Sequence, residues 1–257
     1  MKSSKKILNI SLALLASGII SLDVFSKNEN IDKEVFGKFT LINGNVYVIK
    51  DKTKIKVNKG SILNKKDKII SDKKSRAEIT FFDKSKLRVN ENSELILSPL
   101  SSKKDKLSFL KVLKGQVWAS IINKGEGRFA IESKKSIFAV MGTTFDVNST
   151  DKNTEMSVFD GSVGVTKSND DNNTKDKIKD LKLEIDDNKN KAFDVHQIDK
   201  PVQVIEAPKQ VSIEEWIEIT KNQKITIEDN GNSTVSQIDK DDDWTKWNKD
   251  LDKKSSN

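Results

Sequence analysis

The sequence predicts an all-β protein: an irregular β-solenoid or sandwich-like body with a small helical extension at its carboxyl end. Three observations point there. From Lys38 to about Lys167 the apolar residues recur at period two, the period of a strand with one buried face. Gly, Asn or Asp turns break this pattern every roughly 8–14 residues, the spacing of sandwiches, barrels and solenoids. The three prolines, Pro99, Pro201 and Pro208, fall outside the expected strand interiors, as the missing N–H requires.

The strands follow in order. Phe39-Leu41 and Val46-Val48 flank Asn43-Gly44-Asn45, which reads as a hairpin turn. Ala77, Ile79 and Phe81 alternate with Glu78, Thr80 and Phe82; Asp83-Lys84-Ser85 turns the chain, and Leu87 and Val89 continue. Leu95 and Leu97 come after the turn at Asn90-Glu91-Asn92. Phe109 to Leu113 is followed by Gly115 and by Val117-Trp118-Ala119-Ser120-Ile121, where Trp118 reads as a core residue. Phe129 and Ile131, Phe138 and Val140, Phe145 and Val147, and Met156 and Val158 continue the alternation. Gly161 turns into Val163 and Val165. Short stacked strands bury a core economically, which matters in a chain of 257 residues that is 33% charged and only 35% hydrophobic.

Composition excludes much chemistry. The chain has no Cys, so disulfides, thiolate zinc sites, Cys nucleophiles and a lipid anchor on an amino-terminal Cys are ruled out. A Ser-His-Asp triad has only His196 to use, and no Ser near it stands in a nucleophile elbow. No catalytic residue, metal site or cofactor is expected. Arg, the preferred fork for phosphates and base edges, occurs only at Arg76, Arg88 and Arg128. The Lys-rich, Arg-poor bias therefore argues against a nucleic-acid partner.

The amino terminus has the order of a secretory signal. Lys2, Lys5 and Lys6 precede an apolar run from Ile7 to Leu22, and Val24 and Ser26 stand at −3 and −1 of a cut before Lys27. The run is shorter than the roughly 20 residues a spanning helix prefers. The expected domains are a signal peptide at 1–26, a linker at 27–37, a β body at 38–200 with a polar loop at 168–177, and an extension at 201–257. An exported protein, periplasmic or extracellular, without a membrane span once the signal is cut, is the expectation. Without residues 1–26 the net charge is 43 − 38 = +5. Residues 35–167 carry 26 − 14 = +12, and residues 168–257 carry 15 − 21 = −6.

Several blocks of the body resemble the FecR domain. They are Arg76-Ala77-Glu78-Ile79-Thr80-Phe81-Phe82-Asp83-Lys84-Ser85 with Leu87-Arg88-Val89, Leu113-Lys114-Gly115-Gln116-Val117-Trp118, and Phe129-Ala130-Ile131-Glu132-Ser133. Ala139-Val140-Met141-Gly142-Thr143-Thr144-Phe145 and Val158-Phe159-Asp160-Gly161-Ser162-Val163 complete the series, over about residues 40–168. The resemblance makes Arg76, Ala77, Phe81, Asp83, Ser85, Leu87, Gly115, Trp118, Gly142, Thr143, Phe145 and Gly161 family-motif positions of structural character. Three departures concern turns and one charge. Lys84 stands where the family has Gly, Ser133-Lys134 where it has Thr-Pro, and Met141 where it has Arg, so the loops are expected to differ and an ion pair to be lost. The resemblance implies an all-β sensor fold and a non-enzymatic role. The founding members regulate sigma factors through a transporter contact. Only six residues precede the apolar run here, too few for a cytoplasmic anti-sigma segment, so that role is not carried over. The expected function is a binding or scaffold module at the cell envelope, with an envelope protein or extracellular ligand as partner. A sensor in a transporter- or sigma-linked system is the alternative.

In the extension, Ser168 to Lys177 reads as a solvated loop, and Leu181, Leu183 and Ile185 as one more strand. Ser212-Ile213-Glu214-Glu215 has the form of a capping box, and Ile213, Trp216, Ile217 and Thr220 form a helical stripe to about Asn222. A second amphipathic helix begins after Asp241-Asp242-Asp243 and carries Trp244, Trp247 and Leu251 on one face. Trp244 and Trp247 either anchor a partner or dock this helix onto the β body, and docking is the favoured reading. The acidic clusters at 186–187 and 239–243 lack the spacing of a calcium loop and read as solvated charge.

Overall fold

The computed structural model describes residues 35–100, 107–122, 128–140, 142–168, 208–213, 217–239 and 241–255. The segments expected to be a signal (1–26), a polar loop (169–177) and a strand (181–185), together with Met141, the acidic pair at 186–187, His196 and Pro201, lie outside them. Eighteen strands form one hydrogen-bonded network that folds into two layers rather than closing as a barrel.

The chain passes repeatedly from layer to layer. β1 (Val35–Asn43) lies in the first, β2 (Val46–Lys50) and β3 (Thr53–Lys56) in the second, β4 (Ile62–Asn64) in the first and β5 (Lys68–Ser71) in the second. β6 (Arg76–Phe81) and β7 (Lys86–Val89) are a hairpin in the first layer, and β8 (Glu94–Leu100) returns to the second. β9 (Leu107–Ser120) belongs to both layers. β10 (Arg128–Glu132) and β11 (Ser136–Val140) are in the second layer, β12 (Thr144–Ser149) and β13 (Asn153–Asp160) in the first, and β14 (Ser162–Lys167) in the second. β15 (Lys209–Val211), β17 (Gln223–Glu228) and β18 (Ser233–Gln237) extend the first layer, and β16 (Ile217–Thr220) extends the second. Pairing is antiparallel throughout, except between β9 and β10.

The core lies between the layers. Ala77, Ile79, Leu87, Val89, Val117, Phe145, Val147, Met156 and Val158 point in from the first layer; Val46, Val48, Ile69, Leu95, Leu97, Leu110, Val163 and Val165 point in from the second. Alternation along each strand puts the opposite set of side chains on the outer faces. Gly115 is the joint of β9. Residues before it pair with β8, residues after it with β7 and β12, and its φ of 90° is a left-handed value open to glycine. A Cβ at Gly115 would overlap Ser93.

Three expectations are corrected. Asn43-Gly44-Asn45 is not a hairpin: β1 pairs with β4 and β6, while β2 pairs with β3 and β5, so the turn is a corner between layers. Gly44, at φ 77°, packs against Ser75, whose hydroxyl accepts the Asn45 N–H at 2.8 Å. Pro99 lies inside β8, beyond the β5 pairing that ends at Ile96. There, among the described residues, β8 has β9 on one side only, a place where a sheet tolerates proline. Of the helix expected to Asn222, Glu214, Glu215 and Trp216 lie outside the described residues, and residues 217–220 are strand β16 rather than helix. Ile217 and Ile219 fit a period of two as well as a helical stripe, and register with Val165 and Val163 on β14 buries Ile219 and half-buries Ile217 as a strand. β-branched residues favour that outcome. The second expected helix is observed as α1 (Asp243–Ser255), the single helix among the described residues. No described helix is long and apolar enough to cross a membrane.

Candidate functional site

The outer face of the first layer carries polar and aromatic side chains: Thr40 on β1, Arg76 and Glu78 on β6, Lys86 and Arg88 on β7, Gln116 and Trp118 on β9, Asp146 on β12 and Phe159 on β13. Helix α1 lies over it. Asp242 caps the helix by accepting the Thr245 N–H at 2.7 Å. Asp243 stands in the first turn and Lys253 and Lys254 in the last, which suits the helix dipole.

The contacts form one network. Trp244 Nε1 donates to Asp146 Oδ1 at 2.8 Å, and Gln116 Nε2 donates to Asp146 Oδ2 at 2.9 Å. Arg88 Nε donates to Glu78 Oε2 and its Nη1 to Asp252 Oδ1, both at 2.8 Å. The same Nη1 lies 3.2 Å and 3.3 Å from the backbone and side-chain oxygens of Asn248. Trp118 Nε1 donates to Asp252 Oδ2 at 3.0 Å. At the helix start, Arg76 Nη2 pairs with Asp243 at 2.6 Å, and its guanidinium lies 5.4 and 5.2 Å from the ring centres of Trp244 and Trp247. The two Trp rings stack at 5.3 Å. Trp118 packs on Phe159 at 4.3 Å, and Lys249 reaches over the Phe159 ring.

Arg88, Asp146 and Asn248 are fully buried, and Trp244 is 3% exposed. Burying charge is costly unless each group is paired and hydrogen-bonded, and here Glu78, Asp146 and Asp252 each have a donor on both oxygens. Burial works against the ionised form of Glu78. The hydrogen bonds from Arg88 and Thr40 and the charges of Arg88 and Lys86 outweigh it, so the carboxyl titrates below its ordinary range. The chemistry on view is recognition of a helix by side chains. Among the described residues, no cluster of three or more His, Asp or Glu could hold a metal ion.

Residues 67–164 match the family model described as FecR protein. That stretch of the chain is similar to a FecR domain. Among curated proteins none matches significantly. Two crystal structures of a proposed anti-sigma factor from Parabacteroides distasonis resemble the fold at 13% identity, with TM-scores of 0.44 and 0.45. Each match covers 67% of this chain and 60% of the other, so this chain spans less than two thirds of those proteins.

Most motif positions of the FecR domain lie in its core and turns. Ala77, Leu87 and Phe145 are fully buried between the layers, and Phe81 packs at the core's edge against Phe36 and Phe129. Asp83 accepts the N–H and the hydroxyl of Ser85, both at 2.8 Å, and the Ser85 hydroxyl in turn accepts the Ile122 N–H. Lys84, where the family has Gly, holds a left-handed φ of 72°. Gly142 and Gly161 approach each other at a second corner, where Thr143 donates to the Ser162 carbonyl at 2.8 Å. Ser133, at the position of the missing Thr-Pro, closes the β10–β11 turn through the Ser136 carbonyl.

Only Arg76 and Trp118 of these positions reach the outer-face network, where they meet Trp244 and Trp247. Trp118 is buried as expected, but beneath α1 rather than between the layers. Sequence reasoning missed Glu78, Arg88, Asp146, Asn248 and Asp252. A signal existed: Arg88 stands between Leu87 and Val89, and Asp146 between Phe145 and Val147, each a charge between two apolar neighbours in a strand. Trp244, Asn248 and Asp252 also lie at i, i+4 and i+8 on one helix face.

Proposed function

We propose that this protein is a non-catalytic regulatory module that acts by binding another protein at the cell envelope after export. FecR proteins are regulators rather than catalysts, and the match over residues 67–164 supports that class here. The observation that carries the reading is the outer face of the first layer. Its buried Arg88 and Asp146 and its ring N–H of Trp118 all serve to hold a helix, which is protein-recognition chemistry. The basic run and apolar stretch at residues 2–22 support export.

The test is affinity capture from envelope extracts with the full chain, together with fractionation and determination of the mature amino terminus. Recovery of a transporter or a sigma-system component supports the regulatory reading. Recovery of wall polysaccharide without protein overturns it in favour of a scaffold. A chain retained in the cytoplasm removes the envelope assignment.

A further inference from the structure

We propose that the outer face of the first layer is a helix-receiving surface and that α1 fills it as a replaceable occupant. Its ligand in trans is then a partner protein's amphipathic helix presenting an aromatic N–H, an amide and a carboxylate on successive turns. This deepens the binding-module reading and rests on it.

The division of the contacts is the first argument. The receiving residues Arg76, Glu78, Arg88, Trp118, Asp146 and Phe159 all lie within the FecR match, whereas α1 lies outside it. Strands β1–β4 and β15–β18 also lie outside the match, but they are hydrogen-bonded into the layers, whereas α1 is a strand of neither and rests on the outer face.

The second argument is what release of α1 would uncover. Ala77, Ile79, Leu87 and Val117 face the opposite side of the same strands and stay covered by the second layer. The exposed face would be Arg76, Glu78, Lys86, Arg88, Gln116 and Asp146, groups that water solvates well, with Trp118 and Phe159 as its aromatic part. Opening therefore leaves the inter-layer core intact. The helix has 13 residues, about the length at which an isolated helix is marginal in water, so docking is what keeps it helical. Its tether is short: the Ile238 N–H still bonds to the Asn222 carbonyl, and the helix begins at Asp243.

The third argument is an imperfect fit. α1 leaves Arg88 Nη2 and Thr245 Oγ1 buried with no hydrogen-bond partner among the described residues. A buried donor without an acceptor is a cost that an incoming helix with one more acceptor on this face removes. The recognition stripe is Trp244 to Asp146, Asn248 to Arg88, and Asp252 to Arg88 and Trp118. An acidic and aromatic helix matches a receiver whose reachable cations are Arg76, Lys86 and Arg88. While α1 is docked, such a partner is excluded, so the occupant in cis sets the threshold for binding in trans.

The probe is a fluorescent peptide of residues 241–255, titrated by anisotropy into the full chain and into a full-length Trp244→Ala/Asp252→Ala variant. The variant is expected to bind it, and the wild-type chain at least about tenfold more weakly, because its surface is seldom free. A peptide carrying the same two substitutions is expected to lose binding, as is the variant with Arg88→Lys added. The proposal is overturned if the double variant loses its cooperative melt, since α1 is then integral to the fold. It is also overturned if a folded variant fails to bind, or if both chains bind equally. If envelope capture recovers the same protein equally with wild-type and variant chains, the partner uses another surface. This proposal then falls while the binding-module reading stands.

Discussion

Lys84 shows what a single backbone position costs. Its φ of 72° is a conformation in which an L residue crowds its own Cβ, and the turn between β6 and β7 keeps it all the same. Asp83 and Ser85 hold the turn through two bonds, which outweigh the strain. Lys84→Gly is expected to raise stability by about 0.5–1 kcal/mol, the relief of strain less the entropy glycine adds to the unfolded chain. Chemical denaturation reads this directly, and a lower midpoint would show that Lys84 contributes something besides its conformation. Glu78 makes a pH-dependent contribution. Its carboxyl is held below the ordinary range, so the unfolded chain takes up the proton first. The stabilisation is fully present above the usual carboxylate value of about 4.3 and is lost as pH falls through the lower folded value. Glu78→Gln should cost about 1–3 kcal/mol near neutral pH and flatten the acid limb of the stability profile. An unchanged slope would place the acid sensitivity elsewhere.

Helix α1 was legible because its signals are local. Asp242 as cap, Asp243 in the first turn and the spacing of Trp244, Trp247 and Leu251 all lie within one stretch of chain. Asp242→Ala is expected to weaken docking by about 1 kcal/mol, shift Trp fluorescence to the red and leave the β signal unchanged. Loss of β structure would mean that α1 and the strands form one cooperative unit. The segment around Ile217 and Ile219 was not legible in the same way. Its apolar residues satisfy two periods at once, and the open edge of β14 selects the strand. Asn43-Gly44-Asn45 has the same limitation: a turn sequence states that the chain reverses, not which strands then pair.

For the molecule as a whole, β9 is the member that ties the layers together, and Gly115 is where it crosses. Gly115→Ala meets Ser93 and forces a side chain into a left-handed backbone. It is expected to cost about 3 kcal/mol or more, from overpacking together with backbone strain, read as a large fall in melting temperature. A small change would show that β9 can shift its crossing point. The charge halves also meet here. The body at +12 supplies Arg76 and Arg88, and the acidic end supplies Asp243 and Asp252. Part of the basic excess is therefore answered within the chain.

Period-two alternation from Lys38 to Lys167, the turn residues and the blocks around Arg76, Gly115 and Gly161 carried the all-β class and the resemblance to the FecR domain, because each is written in neighbouring residues. Alternation even places Arg88 and Trp118 on one face, opposite Leu87 and Val117. That this face is closed, and by what, depends on residues 243–255 returning across the domain to lay Asn248 and Asp252 on Arg88. Such contacts join positions far apart in the chain. They follow from packing and charge pairing in three dimensions, which no local pattern encodes.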